Sequence, residues 1–364
     1  MHNLIFFLPS FTKHGAGNSI FRLCKNLNKR KYRIYIISIG KNFQKDRLKK
    51  IGCNVFELKA KSVLMSMKTI KELVKKISIE KANKCIFISS IHHANVFSII
   101  FLRSIKNLKI IGVERTDISE LLIFNGFWRY IKNLLIFFLV KIYYKKANLI
   151  VSNSISGKKD LIKICKTKVI NIPSPSFFNL KYKKKPKKIN ELRIISVGRL
   201  SKEKGYKTII NALKKIKIKK FSMKILGDGN EKNDLKHLIK KNNLQKKIKL
   251  LGFKENTNKY YKQADLFVNA SLFEGFPNAL VEAISNDIPT ICSNCRGGIK
   301  EIILNGRGGD LFTVNDEIEL SEKITSFYLN PKKLYKKLVL ARKNIIKYSQ
   351  TSHVTKYEDV FNKI

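Results

Sequence analysis

Acidic residues are scarce in this chain of 364 residues. Its 26 Asp and Glu stand against 74 Lys and Arg, which leaves a formal net charge of +48. A surplus of this size surrounds the protein with a positive field, so anionic membranes, phosphate-bearing substrates and nucleic acids are all candidate partners. The basic residues are spread along the chain instead of being grouped with aromatic residues, and no known nucleic-acid-binding motif occurs. Nucleic acid is therefore the less favoured partner.

Long apolar runs are also missing. The best candidate, residues 133–140 between Lys132 and Lys141, is far shorter than the ~20 residues that a membrane span needs. The N-terminal run at residues 4–8 is too short for a signal peptide and has no cleavage-site pattern, so it predicts a first strand. These features predict a cytoplasmic protein.

Patterns for metal and redox chemistry are lacking too. The six cysteines are scattered through apolar surroundings, as is typical of a reducing cytoplasm. Cys292 and Cys295 form a lone Cys-x-x-Cys without a second pair or a nearby histidine, so neither zinc binding nor redox chemistry is expected there. No Asp-x-Asp pair occurs in the chain, and we predict that no metal or cofactor is required.

The chain does contain a regular alternation of short apolar runs and helical patterns. It continues from residue 4 to residue 172, stops at Pro173-Ser174-Pro175 and a basic run, and resumes at residue 192. Such alternation is typical of parallel sheets covered by helices. We predict an α/β protein with two doubly wound, Rossmann-like domains at residues 1–180 and 191–345, a basic linker at 181–190 and a C-terminal helix within 346–364. Ligands of such sheets bind beyond the carboxyl ends of the strands, which predicts a site in the cleft between the domains.

The most informative stretch follows an apolar run at residues 266–268. Pro277 suits the first turn of a helix, whose free N–H groups and dipole favour an anion such as phosphate. Glu274 would lie in the loop before this helix and Glu282 on its second turn. The candidate site here consists of Glu274, Gly275, Phe276, Pro277, Asn278 and Glu282. An acidic loop followed by an ordinary surface helix is the alternative.

Glycine-containing segments follow the other predicted strands of this half. After the first of them, Arg199 can place two donors on a diphosphate, and Lys204 adds a second cation from the start of the next helix. Two adjacent glycines later in the chain precede a helix and can form an anion-binding nest. The candidate binding residues in these segments are Gly198, Gly227, Gly252, Phe253, Gly297 and Gly298. Surface turns and, for Phe253, a core position are the alternatives.

The ordered set of these segments from Gly198 to Ile303 resembles the retaining GT-B glycosyltransferases, or glycosyl transferases group 1, of the kind that builds bacterial surface glycans. The resemblance implies that Arg199 and Lys204 hold the diphosphate of a nucleotide-sugar donor. It implies that Glu274 holds the sugar, that Glu282 binds the ribose, and that Arg199, Lys204 and Glu274 are the catalytic residues. It also implies that a final helix crosses back to the first domain.

The first half of the chain matches the family less well. Gly15 lies in a loop after the first predicted strand, where the family often has Gly-Gly-Ala-Glu. Many members have a histidine where this chain has Glu114, which makes Glu114, Arg115 and His93 the acceptor-side candidates. A helix-start loop without a ligand and a structural histidine remain alternatives.

The resulting prediction is an enzyme that moves a sugar, with retention and without a metal, from a nucleotide-sugar to an acceptor. A UDP-sugar is the favoured donor, and the acceptor is a surface glycan or one linked to a polyprenyl diphosphate. The basic surface suggests a peripheral location at the inner face of a bacterial membrane. The helical region 126–146 could lie in the bilayer interface or be a core helix. A nucleic-acid-binding protein and a GT-B epimerase or phosphorylase are the alternative functions.

Overall fold

The computed structural model describes residues 1–12, 15–79, 84–122, 126–177, 179–180 and 188–364. The chain forms two compact units, of which the first comprises Met1–Pro175 and Gln350–Ile364 and the second comprises Ser176–Ser349. The units therefore divide at Pro175 instead of at residue 180, and the C-terminal segment of the first unit begins at Gln350 instead of at residue 346. Most of the predicted linker, residues 181–187, lies outside the described residues.

The first unit is built on a seven-stranded parallel sheet in the order β3-β2-β1-β4-β5-β6-β7. Its strands are β1 (His2–Phe7), β2 (Tyr32–Ile39), β3 (Asn54–Leu58), β4 (Cys85–Ser90), β5 (Leu108–Glu114), β6 (Leu149–Ser152) and β7 (Val169–Asn171). Its helices are α1 (Gly15–Asn26), α2 (Lys45–Lys50), α3 (Val63–Ile79), α4 (His92–Leu102), α5 (Phe127–Tyr143) and α6 (Ile155–Cys165), with α14 (Gln350–Lys363) from the C-terminus. Two 3₁₀ helices flank α5, at Ile118–Leu122 and Tyr144–Lys146.

Both faces of this sheet are covered. One core contains side chains of α3, α4 and α5, and the other contains side chains of α1 and α14. The central strands β1 and β4 are buried along nearly their whole length, as expected of parallel strands between two helical layers. Strand–helix alternation in the sequence therefore predicted this architecture correctly.

The C-terminal helix α14 is part of the first unit. The ring of Phe361 packs edge-on against Tyr32 of β2, with 5.8 Å between the centroids. His353 contacts the Pro173 carbonyl through Nδ1 at 2.6 Å. Residues from the end of the chain therefore complete the core that covers one face of the first sheet.

The second unit contains a six-stranded parallel sheet in the order β10-β9-β8-β11-β13-β15. Its strands are β8 (Leu192–Val197), β9 (Phe221–Leu226), β10 (Ile248–Leu250), β11 (Leu266–Asn269), β13 (Thr290–Ser293) and β15 (Asp310–Phe312). A separate two-stranded sheet pairs β12 (Phe273–Glu274) with β14 (Arg296–Gly297). The helices are α7 (Tyr206–Lys215), α8 (Lys232–Lys241), α9 (Asn258–Gln263), α10 (Asn278–Ser285), α11 (Ile299–Ile302), α12 (Glu317–Leu329) and α13 (Pro331–Ile345).

Three local predictions were wrong or incomplete in this unit. Lys204 lies in a 3₁₀ helix, Lys202–Lys204, and α7 begins only at Tyr206, after Gly205 adopts a left-handed φ of 61°. Pro277 precedes α10 instead of occupying its first turn. The small sheet of β12 and β14 was not predicted, because two-residue strands show no periodicity in the sequence.

None of the helices that the structure describes is both long and apolar enough to span a bilayer.

The burial of His353 gives the first unit a pH-dependent stability. Burial is the main cause that lowers the pKa of His353 to about 3, and the positive charges of Arg115 and Lys356 lower it further. The hydrogen bond with the Pro173 carbonyl acts in the opposite direction. The unfolded chain takes up this proton near pH 6.5, so stability is complete above that pH and is lost as the pH falls toward 3. The loss amounts to at most about 1.4 kcal/mol for each pH unit.

We expect His353→Asn to reduce the fall in unfolding temperature between pH 7 and pH 5, because asparagine can donate to the Pro173 carbonyl but does not titrate. Circular dichroism at several pH values measures this fall. His237→Asn, which changes an exposed histidine of α8 in the second unit, is the control and should show the wild-type dependence. Equal pH dependence of His353→Asn and the wild-type protein would contradict the assignment.

Candidate functional site

Three of the predicted glycines meet at the carboxyl edge of the second sheet. The N–H of Gly227 donates to the Gly252 carbonyl at 3.0 Å, and the N–H of Gly198 donates to the Leu226 carbonyl at 2.9 Å. A Cβ atom on Gly227, whose φ is +144°, would lie 1.8 Å from the Gly198 carbonyl oxygen. Only glycine fits there, and the ends of β8, β9 and β10 are held together through their backbones.

Two exposed side chains flank this glycine edge. The Arg199 side chain is exposed, and no carboxylate of the described chain forms an ion pair with it. Phe253, which follows Gly252, is 39% exposed and therefore is not a core residue. The edge thus carries a cation for an anionic group and an aromatic ring against which a flat ring can stack.

Lys204 and Glu274 form an ion pair that the sequence did not predict. Nζ of Lys204 lies 2.5 Å from Oε1 of Glu274. Gly205 brings the lysine there, since its α carbon packs so closely on the end of β11 that a Cβ would lie 2.0 Å from the Ala270 carbonyl oxygen. The stem of Lys204 also passes Gly198, whose absent Cβ would lie 3.7 Å from the lysine Cδ. The pair therefore borders the glycine edge.

Two further donors hold the Glu274 carboxylate. Oε1 accepts from Ser271 Oγ at 2.8 Å and from Asn269 Nδ2 at 3.4 Å. The side chain is 9% exposed, so its orientation is set by these three contacts. Sequence analysis missed Asn269 and Ser271, although polar residues directly after a buried strand are the available indication of such a role.

The backbone of Gly297 and Gly298 packs against the backbone of Glu274 and Gly275. Glu274 pairs with Gly297 in the small sheet, and a Cβ on Gly297, at φ +115°, would lie 1.4 Å from the Glu274 carbonyl oxygen. The N–H of Gly298, expected to contribute to an anion-binding nest, donates instead to the Gly275 carbonyl at 3.1 Å. In this structure the two glycines let backbone pack on backbone.

The start of α10 contains the remaining predicted residues. The Phe276 ring is buried edge-on against Tyr348, with 5.1 Å between centroids, and Oδ1 of Asn278 accepts from Ser176 Oγ at 2.7 Å. Glu282 accepts from the Tyr261 hydroxyl at 3.4 Å. Phe276 and Asn278 thus fix the loop and the helix start through protein contacts, while Glu282 lies one helical turn further on.

Cys292 lies in β13 and Cys295 follows that strand, and both are buried. Burial raises the pKa of Cys295 to about 11 and raises that of Cys292 well above its usual value. Both thiols are therefore protonated at neutral pH. Across the residues that the structure describes, no group of three His, Cys, Asp or Glu side chains is placed to hold a metal ion.

In the first unit Gly15 opens α1 with a φ of +53°, and a Cβ there would meet no atom within 4 Å. Glycine is therefore favoured by backbone conformation and not by lack of space. The two preceding residues of this predicted loop lie outside the described residues.

The structure corrects the expectation that Glu114 faces the acceptor. Its side chain is fully buried, and Oε1 accepts from Asn95 Nδ2 at 2.8 Å and from the Tyr144 hydroxyl. Oε2 lies 2.6 Å from Nδ1 of His92. Burial disfavours the charged imidazole, but the charge and hydrogen bond of Glu114 outweigh it and raise the pKa of His92. Glu114 therefore orients His92 from the interior.

The other two acceptor-side candidates differ in their surroundings. Burial, followed by the charges of Lys132 and His92, lowers the pKa of His93 to about 4, so this imidazole is neutral at pH 7. Arg115 lines a cavity of about 10 Å³ together with His353 and Tyr357, which is room for about one water molecule. Burial lowers the pKa of Arg115. The cavity is too small for an acceptor group.

Comparison with solved structures defines the class of fold. Anabaena HepE, solved in complex with UDP, superposes with a TM-score of 0.81 at 18% identity, and the alignment covers 100% of both chains. Sucrose-phosphate synthase of Thermosynechococcus elongatus superposes with a TM-score of 0.82 at 14% identity, over 100% of this chain and 99% of the other. Two parallel-sheet α/β domains of this kind are the GT-B fold.

Sequence comparison identifies the family of the second unit. Residues 178–348 match the family Glycosyl transferases group 1, so the second unit belongs to this family. A Campylobacter jejuni N-acetylgalactosaminyltransferase acting on a diphospho-undecaprenol-linked sugar is 33% identical over 192 residues, which are 50% of each protein. An uncharacterized glycosyltransferase of Methanocaldococcus jannaschii is 42% identical over 111 residues, 30% of this chain and 27% of the relative. The chain thus spans half or less of these two relatives' lengths.

We expect Gly297→Ala to destabilise the second unit strongly, because the new methyl group would overlap the Glu274 carbonyl and separate β12 from β14. Gly306→Ala is the matched control, since Gly306 also has a positive φ, +91°, but its Cβ would lie 3.6 Å from the nearest side-chain atom. The control should lose only the roughly 1–2 kcal/mol of a left-handed alanine. Urea unfolding measures both, and equal losses would contradict the close backbone packing.

Proposed function

We propose that the protein is a glycosyltransferase that transfers a sugar from a UDP-sugar to a lipid-linked or surface glycan acceptor, with retention and without a metal. The observation that carries this proposal is the Lys204–Glu274 pair, fixed at 2.5 Å beside the glycine edge. A carboxylate and a cation held together at the carboxyl ends of parallel strands can act on the two halves of a sugar diphosphate. The family of the second unit supports the reaction class.

We assign the parts of the donor to the groups that line this edge. Phe253 offers an exposed ring to the nucleobase, Glu282 offers a carboxylate to the ribose, and the glycine edge admits the diphosphate close to the backbone. Arg199 and Lys204 supply two positive charges to it. Uridine is the favoured nucleotide, since HepE was solved with UDP and also with UDP-glucose.

Catalysis rests on charge placement. As the glycosidic bond breaks, negative charge accumulates on the leaving diphosphate, where Arg199 and Lys204 stabilise it. The opposite, electron-poor sugar is stabilised by the Glu274 carboxylate, which Ser271 and Asn269 keep in place. Two cations at the diphosphate perform the neutralisation that a metal ion performs in other transferases. Retention follows from the resemblance to the family.

The first unit supplies the acceptor side of the proposal. His92, whose Nδ1 lies 2.6 Å from Glu114 and whose Nε2 contacts Thr116 Oγ1 at 3.1 Å, takes the place of Glu114 as an acceptor-side group in this proposal, with His93 beside it. The relative that acts on a diphospho-undecaprenol-linked sugar supports a polyprenyl-diphosphate-linked acceptor. Such an acceptor resides in the membrane, and the net charge of +48 favours an anionic inner leaflet.

We expect UDP to raise the unfolding temperature of the wild-type protein at physiological salt. A ligand at 100 times its Kd adds about 2.7 kcal/mol to the free energy of unfolding. Lys204→Ala should lose most of this shift because it loses a charge at the diphosphate. Lys202→Ala, which removes an exposed lysine from the same 3₁₀ helix, should keep it.

Differential scanning fluorimetry with UDP, GDP and a random DNA oligomer makes this comparison. A shift with GDP alone would change the nucleotide of the proposal. A salt-sensitive shift with DNA and none with either nucleotide would instead support the nucleic-acid-binding alternative.

We expect Glu274→Gln to lower turnover about 100-fold or more, because the amide keeps a polar group beside Ser271 but loses the charge that stabilises the sugar. UDP release from UDP-sugars, in the presence of a polyprenyl-diphosphate-linked oligosaccharide, measures turnover. An NMR spectrum of the wild-type product should show the anomeric configuration of the donor. Near-normal turnover of Glu274→Gln, or an inverted product, would contradict the mechanism.

A further inference from the structure

Helix α5 carries a stripe of exposed apolar side chains. Trp128 is 81% exposed, and the other members are between 45% and 63% exposed. The apolar stripe consists of Phe127, Trp128, Ile131, Leu135, Phe138 and Ile142. Scattered exposed apolar residues are ordinary on a soluble protein, whereas six on one helix form a contiguous patch that requires a partner.

The spacing places all six side chains on one face. Steps of three and four residues along a helix with about 100° per residue confine the stripe to roughly 100° of the circumference. Ile136 and Val140 point the other way and are buried in the first unit. The helix is therefore buried in the first unit along one face and, among the residues that the structure describes, exposed along the other.

Charges border this face in a distinctive arrangement. Lys132 and Lys141, both exposed, lie on opposite sides of the stripe, each about 90° from its centre. Arg129 at the start of α5 and Lys145 just after it are exposed too, and no acidic residue occurs between residues 127 and 146. An apolar face flanked by cations matches a bilayer interface, with acyl chains below and anionic head groups on either side.

A second copy of the chain fits this face poorly. Pairing the stripes of two copies would bring the lysines that flank one stripe, Lys132 and Lys141, close to the lysines that flank the other. Each molecule also has a net charge of +48. Like charges across an interface oppose association, whereas anionic lipids attract each of them. Charge complementarity thus favours a lipid surface.

The stripe lies near the acceptor-side residues of the same unit. Helix α5 packs against α4, which begins with His92 and His93. The start of α5 follows the carboxyl end of β5, where Glu114 and Arg115 lie. A membrane in contact with α5 would therefore hold a lipid-linked acceptor next to His92 and His93.

We propose that α5 lies in the plane of an anionic membrane, with the apolar stripe of Phe127, Trp128, Ile131, Leu135, Phe138 and Ile142 inserted at the boundary of head groups and acyl chains. Lys132 and Lys141 contact the lipid phosphates on either side. This inference deepens the proposed function, because it rests on the membrane location of the lipid-linked acceptor. Binding to vesicles, however, requires neither donor nor transfer.

Trp128 is the only tryptophan of the chain, so its fluorescence reports on the stripe without labelling. Full-length protein is mixed with vesicles of 70% phosphatidylcholine and 30% phosphatidylglycerol at 150 mM salt. We expect a blue shift of the emission, quenching by lipids brominated in their acyl chains, and cosedimentation with the vesicles. Vesicles of pure phosphatidylcholine should bind at least 10-fold more weakly, since each cation near an anionic surface strengthens binding severalfold.

Three variants test the surface itself. The triple variant Ile131→Ser, Leu135→Ser and Phe138→Ser keeps Trp128 and should lose vesicle binding and the blue shift. Lys132→Gln with Lys141→Gln should weaken binding to anionic vesicles about 10-fold or more. The matched control is Ile318→Ser, Leu329→Ser and Leu340→Ser, which removes three exposed apolar side chains of α12 and α13 and should bind as the wild type does.

The outcomes separate the two proposals. Undiminished vesicle binding by the stripe variant, or no blue shift of wild-type Trp128, would overturn the membrane assignment. A dimer that dissociates only in the stripe variant, without vesicle binding, would overturn it in favour of a second copy. The UDP-dependent rise in unfolding temperature should be the same in the stripe variant and the wild type. A loss of that rise in the wild type itself contradicts the donor site and leaves the vesicle result standing.

Discussion

The candidate site depends on one constraint, the close packing of backbone on backbone at the carboxyl edge of the second sheet. At Gly227 and Gly297 a Cβ would lie less than 2 Å from a carbonyl oxygen of the neighbouring segment. At Gly205 it would lie 2.0 Å from one. This packing brings Lys204, at the end of a 3₁₀ helix, to 2.5 Å from Glu274 of β12. The ion pair therefore combines side chains from different sequence motifs. The glycines of these motifs allow the close backbone packing that lets the two charged side chains meet.

In the first unit a buried carboxylate, Glu114, fixes the position of another side chain. Glu114 is removed from solvent, and a fully buried carboxylate requires compensating partners. Asn95, Tyr144 and His92 provide them. The chain turns toward this cluster at Ile91, whose φ of 78° is unusual for a β-branched residue. The result is a histidine fixed in orientation at the carboxyl edge of the sheet.

The kind of partner that suits the large positive charge becomes clear only on the surface of the folded first unit. Dispersed along the sequence, the lysines indicated a partner of negative charge but not its kind. On α5 they flank an exposed apolar stripe, and that combination favours a lipid surface over a nucleic acid, because nucleic acids offer no apolar layer. Helix α5 packs against α4, which begins with His92 and His93, so this surface adjoins two residues that we propose for the acceptor side.

Sequence alone determined the architecture and named most of the residues that line the candidate site. Burial between two helical layers demands continuous apolar strands, so strand–helix alternation predicted both parallel sheets, and the order of the glycine and glutamate motifs predicted the family of the second unit. Tertiary structure decided which side chains meet. Lys204 reaches Glu274 from a segment 70 residues away, Asn269 and Ser271 turn back onto it from the end of the preceding strand, and Glu114 is buried while His92 is only partly so. Such contacts depend on φ values and on packing between distant segments, which local periodicity does not encode.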